Sequence, residues 1–282
     1  AVVLDVVLNH SCDQSPMVQL YRDAGGPTLS NPWYNRVATH PLNVCNDFNH
    51  ASQYTKYFTK NVIKFWLQNY RIDGYRFDLA KGFTQTNSGT ADNATNQANW
   101  AAYDASRIAI WKDYYQTMVA TDATLYPILE HFAAYQEETE LANYGFMIWG
   151  NMNSYYNQAT MGRSDAPWDL SYGYYGASYG GRGWNGPNLV AYMESHDEER
   201  LMYKNEQYGN TNASGTYNIR TLATGLQRNE LAAALFFTQP GPRMIWQFGE
   251  VGYDYSINTC ADGTTIKNVS EKKMNEIFAV AA

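Results

Sequence analysis

Apolar and polar positions along this chain alternate between a strand period and a helix period. Residues 2–8 form a near-continuous apolar run rich in Val and broken by Asp5. That pattern predicts a strand buried on both faces of a parallel sheet. Residues 11–49 are rich in Pro, Gly, Asn and Asp and read as one long excursion, of the length that is usually functional or a small subdomain. Tyr54, Phe58, Val62, Phe65 and Trp66 recur every three to four residues and predict a helix over 51–70. Further strands are expected at 71–79, 124–130, 144–149, 189–195 and 242–248, with helices at 97–120, 134–143 and 218–237. The stretch 150–188 is rich in Gly, Tyr and Asn without a clear period, and the pattern stops after residue 250. Strand alternates with helix, which defines an α/β fold with a parallel sheet.

The polar residues of interest fall at the C-terminal ends of these strands: Asn9-His10, Asp78, Glu130 and His196-Asp197. In a parallel barrel those ends converge on one rim, where active sites form. Successive side chains in a strand alternate faces, so Arg76 and Asp78 point one way and Tyr75 and Phe77 the other. Arg76 and Asp78 are assigned to the barrel interior. An Arg beside a buried Asp favours its carboxylate, which suits a nucleophile, whereas the apolar run 126–129 before Glu130 favours the protonated form, which suits a general acid. That pairing is the one glycoside hydrolysis needs. Each residue alone has a structural alternative: an Asp5–Arg76–Asp78 ion-pair network, a surface glutamate at 130, and ordinary core histidines at 10 and 196.

Composition narrows the field. The chain has 282 residues, 45% hydrophobic and only 17% charged, against roughly 25% charged in typical domains. Disorder needs the opposite balance. The net charge of −7 and the lack of a basic run argue against nucleic-acid binding, and no apolar run approaches a membrane span of about 20 residues. Aromatics reach 15%, led by 24 Tyr, which suits a neutral hydroxylated ligand or simply a filled core. None of Cys12, Cys45 and Cys260 forms a CxxC pair, so a zinc ribbon is not indicated. Cys12 and Cys45 bracket one excursion and can pair in an oxidising compartment, or all three can be buried thiols. Asn93, Asn212 and Asn268 begin glycosylation triplets, a pattern common by chance. The sequence opens inside an apolar strand without Met or signal segment, so a piece of a longer chain is expected.

Asp5 to His10 (DVVLNH), Gly74 to Lys81 (GYRFDLAK), Glu130 and Ser195 to Asp197 (SHD) appear in that order. They resemble the four signature regions of the alpha-amylase family, family 13 of the glycoside hydrolases, and Asn46 to Asn49 is similar to a fifth. The resemblance runs over about residues 1–255. It implies a partial TIM (β/α)8 barrel holding strands three to eight (1–10 and 50–255), with 11–49 as the small inserted domain and 256–282 as an unassigned tail. The first two strands and the C-terminal domain would be missing, leaving this chain alone poorly stable and weakly active or inactive. By resemblance Asp78 is the nucleophile, Glu130 the general acid/base and Asp197 the third carboxylate. Arg76 would hold the nucleophile, His10 and His196 the sugar, and Lys81 the leaving-group side. Asn9 and Asp47 match ligands of a structural calcium, a cation that takes oxygen donors. Gly82 stands where the family usually has a His that supplies a carbonyl. Retention implies Asp78 and Glu130 carboxyls about 5–5.5 Å apart. The implied activity is endo-hydrolysis of α-1,4-glucosidic bonds in starch-like glucans by a secreted monomer. The alternatives are a branching, debranching or transglycosylating relative, or a non-catalytic glucan binder. The aromatics of 144–188 (Tyr155, Tyr156, Trp168, Tyr172, Tyr174, Tyr175, Trp184) line the glucan cleft or pack a surface loop.

Overall fold

A computed structural model describes residues 1–176, 181–260 and 262–266, so the Asn268 triplet lies outside the described residues. The chain forms two compact units, 1–149 and 150–282. The first contains β1 (Val3–Val6), β2 (His10–Ser11), α1 (Pro16–Gln19), β3 (Arg22–Asp23), β4 (Gly26–Pro27), β5 (Asn46–Asp47), α2 (Gln53–Asn69), β6 (Gly74–Phe77), α3 (Ala94–Ala101), α4 (Ala105–Thr121), β7 (Tyr126–Leu129) and α5 (Tyr135–Tyr144). Strand β8 (Met147–Asn151) crosses the boundary, and the second unit continues with α6 (Asn153–Met161), β9 (Leu189–Tyr192), α7 (Leu201–Tyr208), α8 (Leu222–Phe237) and β10 (Arg243–Met244). The sheet order is β1–β6–β7–β8–β9–β10 and its paired strands run parallel, in keeping with the partial-barrel fold class. Among the described residues no helix is long and apolar enough to cross a membrane.

The register explains how the strand ends are delivered. Asp5 pairs with Arg76, and Arg76 with Ile128, so the ends of β1, β6 and β7 lie side by side. Gly74 permits the close β6–β7 approach, because a Cβ there would sit 2.8 Å from the Tyr126 amide nitrogen. Tyr75 and Phe77 are fully buried on the helix side: Tyr75 donates to the Ile63 carbonyl of α2, and Phe77 packs edge-on against Trp111 of α4. The alternation expected for Arg76 and Asp78 therefore holds.

Helix α2 buries Thr55, Thr59, Ile63 and Leu67, four residues apart, and Ser52 caps its first turn. The single helix expected over 97–120 is two. Asp104 accepts from the Ser106 and Arg107 amides as an N-cap, starting α4 after a break. Residues 11–49 build a small core of Val18, Tyr34 and Phe48, joined by Met17, Trp33 and Phe58. Cys12 and Cys45 are disulfide-bonded across it, with Cα atoms 4.9 Å apart, while Cys260 is free.

Four further expectations are corrected. Strand β1 is half-exposed rather than buried on both faces, with Val3 38% exposed, because among the described residues it is the edge of the sheet and pairs only with β6. Helix α6 lies within the stretch read as aperiodic. It buries Asn153, Asn157, Gln158 and Thr160 beside Tyr156 and Met161, and so polar a buried face hides the helical period. Helix α7 likewise falls in sequence given no element, and β10 is only two residues long.

Candidate active site

Arg76 organises the ends of β1, β6 and β7. Its guanidinium is buried, and one terminal nitrogen lies 2.9 Å from both Asp5 Oδ1 and Asp78 Oδ1. The other lies 3.0 Å from Glu130 Oε1. Burial alone would lower the Arg76 pKa, but Glu130, Asp5 and Asp78 together raise it, so it remains a fixed cation. Its guanidinium carbon also lies 5.2 Å from the centre of the Trp149 ring, a cation–π contact to the middle of β8. Asp78 and Glu130 are thus held on the two prongs of one fork. The apolar surroundings expected for Glu130 are not found: its carboxyl meets Arg76, and its Oε2 accepts the Leu79 amide at 2.8 Å. Residues 126–129 fill the strand behind Glu130, whereas its side chain leaves at the strand end.

The turns after β6 and β7 are fastened together. The Ala80 amide donates to the Glu130 carbonyl at 2.8 Å, and Lys81 Nζ donates to the Phe132 carbonyl at 3.0 Å. Leu79 and Phe132 have φ of 46° and 48°, left-handed conformations that cost energy without glycine and persist only where contacts impose them. Lys81 is buried, with its ammonium 4.0 Å from the Trp100 ring centre. Desolvation, then Arg107, brings its pKa down to about 8.

Asn9, Asp47 and Gly82 come together, with His40 among them. Asn9 Oδ1 and Asp47 Oδ1 are buried without hydrogen-bond partners among the described residues. The other Asp47 oxygen accepts from Asn35 and Thr39. A Cβ on Gly82 would fall onto Asn9 Oδ1 and 2.8 Å from His40 Nε2, so only glycine fits there. An amide oxygen and a carboxylate oxygen left without donors are the right chemistry for a hard cation. His40, 3.5 Å from Asp47 Oδ1 and stacked on Trp100, adds an imidazole that sequence reasoning missed. His10 sits beside this cluster, its Nδ1 3.3 Å from Asn9 Nδ2.

The second unit carries the remaining predicted residues just beyond β9. His196 Nε2 lies 3.2 Å from Asp197 Oδ2, and the imidazole packs near Trp246. The Asp197 amide donates to Ser195 Oγ, and its carboxylate is largely exposed. Neighbouring Glu198 is half-buried, and desolvation pushes its carboxyl pKa up. Of the aromatics of 144–188, Tyr156 and Trp184 are buried and serve the core, whereas Tyr155 and Tyr172 stack on each other and Trp168 is exposed.

In parallel α/β barrels, carboxylates grouped at the C-terminal strand ends lie on the face where active sites form. The alpha-amylase catalytic-domain family model matches residues 30–279, and the chain belongs to that family, within the family 13 glycoside hydrolases. Solved structures agree on the fold. Apo pullulanase from Klebsiella pneumoniae superposes with a TM-score of 0.61 at 13% identity, covering 97% of this chain and 32% of its own. Type I pullulanase from Bacillus subtilis, complexed with maltose, gives 0.59 at 18% identity, covering 99% and 38%. Amy13B of Eubacterium rectale gives 0.61 at 15% identity, covering 96% and 51%. This chain thus spans between a third and a half of those structures. No curated protein sequence matches it.

Proposed function

We propose that this chain carries most of the catalytic centre of a retaining α-glucan hydrolase, cleaving α-1,4-glucosidic bonds in starch-like glucans. The observation that carries the reading is the Arg76 fork, which fixes Asp78 and Glu130 side by side at the ends of neighbouring strands. In the first step the Asp78 carboxylate attacks the anomeric carbon. The bond to the leaving oxygen breaks as Glu130 gives that oxygen its proton, leaving a glycosyl ester on Asp78. In the second, Glu130 takes a proton from water, the water oxygen bonds the anomeric carbon, and the ester breaks to restore Asp78. Asp197 orients the sugar hydroxyls, His10 and His196 hydrogen-bond the sugar, and Lys81 steadies the turn that holds Glu130. Asn9, Asp47 and the Gly82 carbonyl would hold a structural calcium, which ties the excursion to the ends of β1 and β6. The Cys12–Cys45 disulfide favours work outside the cell.

The pullulanase neighbours favour a second reading, debranching at α-1,6 linkages. Product analysis on amylose, pullulan and glycogen separates the two. Short oligosaccharides from amylose, first released as the α-anomer, support the amylase type, and cleavage of pullulan alone supports debranching. An initial β-anomer, or full activity in Asp78→Asn, would sink the retaining mechanism.

A further inference from the structure

Behind Glu130 lies a buried ionic network that the chemistry above does not use. Glu137, in the first turn of α5, is fully buried. Its Oε1 accepts from Arg107 Nε and from His131 Nε2, both at 2.6 Å. Its Oε2 accepts from another Arg107 nitrogen at 2.7 Å and from the Asp104 amide at 2.8 Å. Burial alone would raise the Glu137 pKa, but the bonds from His131 and Arg107 outweigh it and hold the carboxyl below its usual range. Burial likewise lowers the His131 pKa, so its ring is neutral and donates through Nε2.

Both arms of the network end on the catalytic turns. His131 is the residue after Glu130. Arg107 donates to the Lys81 carbonyl at 3.3 Å and to the Trp100 carbonyl at 3.0 Å. Lys81 in turn donates to Phe132, and Leu79 to the Glu130 carboxyl. One carboxylate thus grips the segment 130–132 from one side and the segment 79–82 from the other. Both segments contain a left-handed non-glycine residue, a conformation that relaxes unless it is held. A purely structural ion pair would have no reason to converge on these two turns.

We propose that Glu137 is a positioning residue for the acid–base: through His131 and Arg107 it fixes the turns that aim the Glu130 carboxyl at the glucosidic oxygen. This rests on Glu130 being the general acid. Poor aim slows proton delivery to the leaving oxygen most where the leaving group needs the proton. A sugar alkoxide needs it, whereas a halogenated nitrophenolate does not.

The test compares maltoheptaose with 2-chloro-4-nitrophenyl α-maltotrioside in four proteins: wild type, Glu130→Gln, His131→Leu and Glu137→Gln. His131→Leu cuts one arm but leaves the Arg107–Glu137 pair intact, so it guards against a Glu137→Gln variant that fails to fold. The expected result is a loss in kcat/KM of about 10- to 100-fold on maltoheptaose, with less than about threefold on the aryl glycoside for the glycosylation step. Glu130→Gln should show the same leaving-group pattern, more strongly. Equal losses on both substrates, or no loss, overturn the proposal, since a structural defect does not distinguish leaving groups. A wild type that cleaves neither substrate even when joined to segments that complete the barrel overturns the glycosidase reading instead.

Discussion

His50 should make this protein acid-labile, and the effect can be isolated. Its ring is fully buried, with Nε2 2.8 Å from the Leu8 carbonyl and Nδ1 2.7 Å from the Tyr114 hydroxyl, and it stacks on Phe83 at 3.7 Å between ring centres. Burial lowers its pKa from 6.5 to about 3. The folded state therefore excludes a proton that the unfolded chain takes up below about pH 6.5. A depressed folded pKa leaves stability intact above the unfolded value and removes it as pH falls towards the folded one. At 1.36 kcal/mol per unit, the full loss is about 5 kcal/mol, and about 3 kcal/mol of it falls between pH 7.5 and 4.5. His50→Phe keeps the stacking but leaves Leu8 and Tyr114 without their partner, at about 1–3 kcal/mol each. The variant should be less stable than wild type at pH 7.5, and the gap should shrink by about 3 kcal/mol at pH 4.5. Urea unfolding at the two pH values, followed by tryptophan fluorescence, reads the gap directly. An unchanged gap would refute the reasoning, as would an imidazole that titrates near pH 6.5 by NMR. The consequence reaches the active site, because Leu8 precedes Asn9-His10 and Phe83 ends the turn that follows Asp78.

Other consequences can be checked in the same protein. Reducing the Cys12–Cys45 bond, which spans 33 residues, should lower the stability of the excursion by about 3–4 kcal/mol, read as a drop in Tm under dithiothreitol that is absent from Cys12→Ser/Cys45→Ser. Gly82→Ala should cost about 1–3 kcal/mol by crowding Asn9 and His40, measured by urea unfolding; a neutral result would mean that the cluster can open. If calcium is held by Asn9 and Asp47, a chelator should lower the wild-type Tm, restoring calcium should recover it, and Asp47→Ala should respond to neither; at a hundred times Kd the gain is about 2.7 kcal/mol. Arg76→Lys, which keeps a charge but loses the fork, should lower kcat at least tenfold with little change in KM, because a point charge cannot hold Asp78 and Glu130 on separate prongs.

Much of the candidate site is legible in the chain because it rests on local rules. Period-two alternation places Arg76 and Asp78 on one face and Tyr75 and Phe77 on the other, and the ends of the apolar runs mark Asn9, Asp78, Glu130 and Asp197. The strand–helix alternation that defines the fold class is local in the same sense. The tertiary structure decides what those residues meet. The runs of sequence around Glu130 are apolar, yet its carboxyl faces Arg76 and the Leu79 amide, because a side chain at a strand end sees the neighbouring strand rather than its own. The disulfide, the Asn9–Asp47–His40 cluster and the Arg107–Glu137–His131 network each join residues brought together by folding, and no hydrophobic period encodes them. Helix α6 was hidden for a related reason: its buried face mixes amides with Tyr156 and Met161, and Asn153 finds its partners in the Met193 and Glu199 carbonyls. Periodicity reports where a chain avoids water, whereas partner choice among buried polar groups depends on which segments the fold brings within hydrogen-bond reach.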